Sequence, residues 1–371
     1  MAGLYIHVPF CRQRCHYCDF YFTTNRKLTA DFVAALCREI AERKDELGGE
    51  TIETIYFGGG TPSVLSLAEL DTLFNSINKH FLVGKNPEIT LEANPDDLSR
   101  EYIVDLQKTP VNRLSIGVQS FVEDDLKWMN RTHSAAQSLD CVRLASDAGI
   151  SNLSIDLIYG LPDMDNIHWQ SNLDILGGLP VQHFSAYCLT VEPKTPLGKL
   201  IKDGKSKAPD ESAASANFDQ LMDWAAGKGF EQYEISNFAK DGHYSRHNSA
   251  YWKGISYLGL GPSAHSFVHG ERKANRAKLA QYICGERLSE TENLSPANCF
   301  NEYILTSLRT IWGVELETLR EKFSESYFLQ ATQKLTTLEA SGFILPNQGR
   351  ISLSRKGKHF ADWVATEFFV E

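Results

Sequence analysis

The chain is predicted to be an α/β protein: an open or partial (β/α)6 barrel followed by a small, helical, winged-helix-like domain. Three observations carry this. Short apolar runs alternate with amphipathic helical segments from the start to about residue 190. Several of those runs end in glycine or a polar residue, and the texture changes near residue 295, where helices and a hairpin replace the alternation. Strands alternating with helices build a parallel sheet covered by helices. Six units are too few for a complete eight-fold barrel, and a doubly wound sheet is the second choice.

Taken in order, "GLYIHVPF" reads as a strand and "ADFVAALCREIAERKDEL" as a helix with apolar positions recurring at three and four. "IETIYFGGG", "EITLEANP", "RLSIGVQSF", "NLSIDLIYGLP" and "HFSAYCLTVEP" are the later strands. Between them "SLAELDTLFNSINKHF", "SREYIVDLQKT", "SAAQSLDCVRLASDAG" and "WQSNLDILGGL" are helical. "KDGKSKAPDES" is polar enough for a loop, and "NFDQLMDWAAGKGFEQYEISNFA" is a helix running into a strand. "GHYSRHNSAYWKGISYLGLGPSAHSF" has the Gly, Ser, His and aromatic content of a loop. After residue 295 come helices, the hairpin "FILPNQGRISLSRKG" and a last helix. The expected division is a core over 1–235, a connecting segment over 236–294 and a C-terminal domain over 295–371.

Composition narrows the function classes. With 371 residues, 42% hydrophobic and 23% charged, the chain has ample material for a core. A net charge of −10 disfavours sequence-independent nucleic-acid binding. A winged-helix regulator is disfavoured for the same reason: residues 300–371 carry eight Lys/Arg against nine Asp/Glu, so no basic face exists. No run of about eighteen apolar residues exists to span a bilayer. "MAGLYIHVPF" lacks the basic and long apolar regions of a secretory signal. The eight cysteines are irregularly spaced, which suits a reducing, cytoplasmic setting better than a disulfide framework. Cys37, Cys141 and Cys299 lie in helical segments and are expected to be small buried residues.

Cys11, Cys15 and Cys18 stand apart: three cysteines within eight residues, on a loop after the first strand. Structural tetrahedral sites close with four protein ligands. Three thiolates on a cubane iron–sulfur cluster hold three irons and leave the fourth open. A Cys3His zinc site completed by His7 or His16 is the rival, but such sites split their ligands into two pairs and no second pair occurs here. Strand ends at Gly58-Gly59-Gly60-Thr61, Glu92, Gln119 and Asp156 fall at corresponding places. Ligands collect at the carboxyl ends of parallel strands, so one shared site is expected.

The cysteine spacing resembles the radical S-adenosylmethionine superfamily, and the resemblance continues through nearly the whole chain. "YIHVPFC", "YFGGGTPS", "EANPDD", "NRLSIGVQSF", "SIDLIYGLP" and "EISNFA" look like the branch containing oxygen-independent coproporphyrinogen III oxidase and the haem-chaperone group, HemW. This resemblance implies a [4Fe–4S] cluster on Cys11, Cys15 and Cys18, with S-adenosylmethionine chelating the open iron. In the family an electron from the reduced cluster cleaves the sulfonium bond and yields a 5′-deoxyadenosyl radical. Carried over by matching position, Tyr5 and Tyr17 flank the cysteines, with Tyr17 near the adenine. Gly59, Gly60 and Thr61 would meet the methionyl amino group, where glycine lets backbone approach closely. Glu92, Gln119, Arg131 and Asp156 would contact the methionyl and ribose portions. Cys188 falls near another family contact but is read as core.

Three departures separate this chain from the oxidase. Asp19-Phe20 replaces a further cysteine after the third ligand, the stretch before Cys11 is short, and "HNSAYW" fits the HNxxYW motif of the chaperone group. Histidine is a usual axial ligand of haem iron, and Tyr and Trp offer flat faces to a porphyrin. The resemblance thus implies His247, Tyr251 and Trp252 as haem contacts, with His243 and His265 as rivals. Asn248 orders the loop. The expectation is a haem chaperone, cytoplasmic and peripheral at the inner membrane face during transfer. It would accept haem from a donor protein and pass it to apo-haemoproteins such as respiratory cytochromes. The S-adenosylmethionine site would serve cluster-linked control of transfer or of homodimer formation, or a radical step. The alternative is the oxidase reaction, radical decarboxylation of coproporphyrinogen III.

Overall fold

The computed structural model describes all 371 residues, Met1–Glu371. Six strands, β1 (Ala2–Val8), β2 (Ile52–Gly59), β3 (Val83–Ala93), β4 (Arg113–Gln119), β5 (Asn152–Tyr159) and β6 (His183–Cys188), pair in parallel in chain order. A short antiparallel hairpin, β7 (Glu231–Glu234) and β8 (Asn237–Ala239), is added beside β6. On the other edge β9 (Tyr257–Leu260) runs parallel to β1, and β10 (His265–Val268), β11 (Glu271–Asn275) and β12 (Ser289–Asn293) continue antiparallel. The sheet begins at β12 and ends at β7 without closing. It is the open partial barrel of the sequence reading, widened at both edges.

Alternation explains which way each strand faces. In β1, Leu4, Ile6 and Val8 are fully buried among the helices, while Tyr5 and His7 face the concave side. Apolar stripes on the helices meet that outer face: Phe32, Val33, Leu36 and Ile40 from Thr29–Glu42, and Leu70, Leu73, Phe74 and Ile77 from Leu67–His80. The second of these helices opens with a capping box, Ser66 accepting from the Glu69 N–H and Glu69 accepting from the Ser66 N–H. A continuous core of 64 buried residues results.

The concave side is different in kind. Thr54, Glu88, Thr90, Arg113, Ser115, Ser154, His183 and Ser185 are buried there although all are polar. Polar groups are retained in such a place only when hydrogen bonds or a ligand satisfy them.

The stretch Gly242–Phe267, expected as a loop, is not one. It holds the helix Arg246–Trp252, β9 and β10. Its glycines give it an irregular look, but Gly259 sits in a strand because a Cβ there would lie 2.0 Å from the His265 carbonyl oxygen. Pairing with β1, more than 250 residues earlier in the chain, makes the strand.

A second core of 15 buried residues, including Phe300, Ile304, Leu308, Val314, Ile351 and Val364, organises the C-terminal part. There β13 (Val314–Glu315), β14 (Ile344–Asn347) and β15 (Arg350–Leu353) form a small antiparallel sheet among helices, with β15 in the middle. The β14–β15 turn carries positive φ at both central residues, Gln348 (47°) and Gly349 (83°), as a tight two-residue hairpin requires. Arg309 joins this part to the sheet through buried Glu234 at 3.3 Å, and Arg355 pairs with Asp219 at 2.8 Å on the helix Glu211–Gly227. No helix is long and apolar enough to cross a membrane.

Candidate functional site

The loop that follows β1 carries the three cysteines and is fastened at several points. The Cys11 N–H donates to the Thr23 carbonyl at 3.0 Å, and the Thr23 N–H donates to that of Pro9 at 2.7 Å. His16 donates from Nδ1 to the Trp128 carbonyl at 2.8 Å, and Asn130 donates from its amide to the Arg14 carbonyl at 2.7 Å. Arg12 pairs with Asp97, which also accepts from the Ser63 hydroxyl at 2.8 Å.

The glycines at the end of β2 let this loop sit close. A Cβ on Gly60 would lie 2.7 Å from the Phe10 carbonyl oxygen and 2.8 Å from that of Val8. Gly59 has φ of +107°, a region that L-residues avoid. The Gly60 and Thr61 N–H groups donate to Val8 and Phe10, locking the glycine turn to the cysteine loop.

Above the carboxyl ends of the strands lies a cavity of about 540 Å³. It brings together Cys11, Cys15 and Cys18 with Tyr17, Gly59, Gly60, Thr61, Glu92, Gln119, Arg131 and Asp156. Residues far apart in the chain, from Cys11 to Asp156, thus meet in one place. Tyr5 is the exception among the expected contacts. Its hydroxyl bonds to His7 Nδ1 at 3.1 Å, and its ring packs beside the stacked pair Tyr56 and His247 in the barrel interior.

Glu92 is the best-defined acid of the cavity. Tyr56 donates to Oε1 at 2.8 Å and the Gly59 N–H donates to Oε2 at 3.2 Å. Burial nevertheless pushes its carboxyl up to about 7, and nearby Asp156 adds to the rise against those two donors. Asp156 is likewise raised by burial and accepts from the Ser115 hydroxyl at 3.4 Å. Gln119 has φ of 67°, a strained value for a non-glycine residue, where β4 slips register against β5. That slip turns its side chain into the cavity.

Arg131 is held more tightly than the sequence suggests. It donates to Asn94 at 2.7 Å, to the Gly117 carbonyl at 2.8 Å and to Cys15 Sγ at 3.3 Å. That last contact sets a cationic donor against the sulfur. Burial pushes the Cys11 thiol up to about 11 and raises Cys18 as well, so deprotonation there depends on a metal supplying positive charge.

The thiols fit a cluster better than a single ion. No three Cys, His, Asp or Glu side chains converge as a mononuclear site requires, whereas a cubane binds each thiolate at a separate iron. His7, one candidate for a zinc set, spends Nε2 on the Tyr21 carbonyl and Nδ1 on Tyr5.

Cys188 corrects the reading as core: it is exposed and lines the cavity. It is the last residue of β6, where the alternation that would have buried it gives way to the following loop. Asn94, Ser115, Gly117 and Tyr187 also line the cavity, and the sequence reading passes over them. A signal for two of them exists, since Asn94 lies two residues beyond Glu92 and Gly117 two before Gln119, on the same strand face.

The HNxxYW residues lie elsewhere. The helix Arg246–Trp252 plugs the amino-terminal end of the half-barrel, and Glu88 accepts from the Arg246 and His247 N–H groups at 3.1 and 3.0 Å. His247 is 1% exposed. Its Nδ1 bonds to Thr54 at 2.8 Å and its Nε2 to Tyr251 at 2.7 Å. Burial pushes its pKa down to about 3, with Arg113 adding to the effect, so the ring is neutral. Against the expectation of a haem ligand, this arrangement leaves neither ring nitrogen free. Trp252 is half-buried under the Arg309 guanidinium, while His243 and His265 are exposed. His247→Ala is expected to lower stability by about 2–4 kcal/mol, since it opens a cavity and strands the Thr54 and Tyr251 hydroxyls. Urea unfolding checks this.

Residues 5–174 match the family described as the Radical SAM superfamily. The heme chaperone HemW of Bacillus subtilis (strain 168) is 33% identical over 100% of both chains. That of Lactococcus lactis subsp. lactis (strain IL1403) is 33% identical over 99% of this chain and 97% of its own. That of Escherichia coli (strain K12) is 36% identical over 72% of this chain and 70% of its own. Among solved structures, the Escherichia coli coproporphyrinogen III oxidase (HemN) superposes with a TM-score of 0.86 over 100% of this chain and 90% of that one, at 22% identity, a likeness of fold. The chain belongs to the radical SAM superfamily and, within it, to the HemW family.

Proposed function

We propose that this protein is a haem chaperone: it binds haem and passes it to apo-haemoproteins, respiratory membrane cytochromes foremost. The observation that carries the reading is full-length similarity to proteins named heme chaperone HemW, 33% identical over 100% of both chains. The cavity supports a [4Fe–4S] cluster on Cys11, Cys15 and Cys18 and S-adenosylmethionine beside it. A cluster with an open iron supplies one-electron chemistry to the ligand it chelates.

The protein's own residues define how that ligand would lie. Glu92 would accept from the methionyl amino group, and the Gly59–Thr61 backbone would lie alongside it. Asp156 and Gln119 would take the ribose hydroxyls, and Tyr17 would flank the adenine. Arg131, already bonded to Asn94 and Cys15, would orient the carboxylate side and support the sulfur.

Coordination of haem by His247 would require the Thr54 and Tyr251 hydrogen bonds to give way. Haem titration separates the cases. A wild-type Soret spectrum retained in His247→Ala places the ligand elsewhere. A lost spectrum in a variant that circular dichroism shows still folded means that the helix Arg246–Trp252 swings out to bind.

The test of the whole reading uses one anaerobic, cluster-reconstituted preparation. It is expected to bind haem stoichiometrically and to transfer it to an apo-cytochrome, with no conversion of coproporphyrinogen III to protoporphyrinogen IX. Appreciable porphyrinogen turnover without haem transfer overturns the proposal in favour of the oxidase.

A further inference from the structure

One charged side chain in the barrel interior has no partner that accounts for it. Arg113 on β4 is 1% exposed. Its only hydrogen-bond neighbour is His183 Nδ1, 3.4 Å from Nη2, and its Nε and Nη1 have none. An ionised guanidinium placed out of water without a partner is strongly destabilising. The neighbour is itself uncharged: His183 Nε2 bonds to the Tyr233 hydroxyl at 2.7 Å and its Nδ1 to Ser154 at 2.7 Å. Burial and Arg113 both push His183 toward the neutral form.

The strand register places Arg113 beside Thr90 and Ser115 beside Glu92, so Arg113 occupies the side-chain layer just below the cavity floor. On the other side Ser115 reaches Asp156. Of the neighbouring carboxylates, Glu88 is engaged by two backbone N–H groups and Glu234 by Arg309. Glu92 and Asp156 are left without a cation in contact. A bound inorganic anion is disfavoured by those same two carboxylates, whose charge would repel it.

We propose that Arg113 is a positioning residue for the cavity: its unpaired charge, one layer beneath the floor, holds Glu92 and Asp156 in the anionic form that receives a cationic, hydroxyl-bearing ligand. This rests on the reading of the cavity as the S-adenosylmethionine site. Groups facing Glu92 come from every neighbouring element: Tyr5 from β1, Tyr56 and the Gly59 N–H from β2, Arg113 from β4, Asp156 from β5, Tyr187 from β6 and Tyr251 from the helix Arg246–Trp252. Arg113 is the cation that acts on Glu92, opposing the rise that burial and Asp156 impose, while Asp156 is lowered by Arg113 and, to a lesser degree, by Arg131 across the cavity. Interaction through a buried interior is stronger than the same interaction in bulk water.

Removing the charge raises the Glu92 midpoint, leaves more of it protonated near neutrality and weakens its acceptance of the ligand's amino N–H. Higher pH restores binding.

The experiment is anaerobic calorimetric titration of cluster-loaded protein with S-adenosylmethionine across about pH 6–9, spanning the expected midpoints. Wild-type affinity is expected to rise through pH about 7. In Arg113→Met the midpoint moves up by at least about one unit, weakening binding at neutral pH about fivefold, while Arg113→Lys stays near wild type. NMR of isotope-labelled glutamate carboxyls in the ligand-free protein follows Glu92 directly, with Glu92→Gln assigning its signal. An Arg113→Met midpoint equal to wild type overturns the proposal, as does an Arg113→Lys midpoint displaced as far as that of Met. Arg113→Gln replaces Met if the latter does not fold. Should wild type fail to bind S-adenosylmethionine, the cavity reading fails, and the carboxyl titration still decides the role of Arg113.

Discussion

Cys15→Ser is expected to fold normally and to lose nearly all of its cluster iron and sulfide. Cys15 is only partly buried, and its side-chain partners among the cavity residues are Arg131 and Tyr17. Little packing is lost when sulfur becomes oxygen, so thermal stability of the metal-free protein should move by less than about 1 kcal/mol. The metal site cannot absorb the change in the same way, because serine is a poor substitute for the soft thiolate that iron–sulfur clusters take. Cys141→Ser is the converse control. Cys141 is 2% exposed within the core and far from the cysteine loop in sequence, so its replacement should lower stability by about 1–3 kcal/mol by burying a hydroxyl and leave iron content unchanged. Iron and acid-labile sulfide per chain after anaerobic reconstitution, with urea unfolding of the metal-free forms, check both. Full cluster retention in Cys15→Ser would remove it from the ligand set.

The second large effect concerns backbone. Gly60→Ala is expected to cost about 2–3 kcal/mol through overpacking and to abolish ligand binding in the cavity. Its new methyl would meet backbone on every near side: Phe10 O at 2.7 Å, Val8 O at 2.8 Å and Phe10 N at 2.9 Å. None of these atoms can rotate away as a side-chain tip could. The strain must move either the end of β2 or the loop bearing Cys11, and the Gly60 and Thr61 hydrogen bonds tie those two together. Gly227→Ala is the matched control. It lies at the exposed end of the helix Glu211–Gly227 with nothing within 4 Å of the added atom, so stability should hold or rise by up to about 1 kcal/mol. Urea midpoints with S-adenosylmethionine titrations of the cluster-loaded variants read both. Equal stability for the two variants would mean that the glycine turn is looser than its contacts imply.

The site was legible to the extent that it is built from strand ends. Gly59, Gly60, Thr61, Glu92, Gln119 and Asp156 line one cavity with the cysteines because parallel strands place their carboxyl ends on one side, and Arg131 joins them from the loop after the helix Glu123–Trp128. The residues passed over, Asn94, Ser115 and Gly117, differ only in lying an alternation or two away on the same face. Tyr5 shows the opposite error, since it precedes the strand end and its ring falls a layer deeper, against Tyr56 and His247.

Local pattern therefore determined the alternation of strands and helices, the grouping of the three cysteines and the row of strand-end polar residues. Those depend on periods of two and of three to four residues and on the close spacing of three cysteines, all carried by neighbours in the chain. Only the tertiary structure decided that His247 is sealed between Thr54 and Tyr251, that β9 closes against β1, and that Arg113 stands unpaired beneath two carboxylates. Arg113 and His183 are 70 residues apart in the chain, and Thr54 and His247 are 193 apart, yet each pair meets in a dry interior. There burial and charge act through space, and no stretch of sequence displays them.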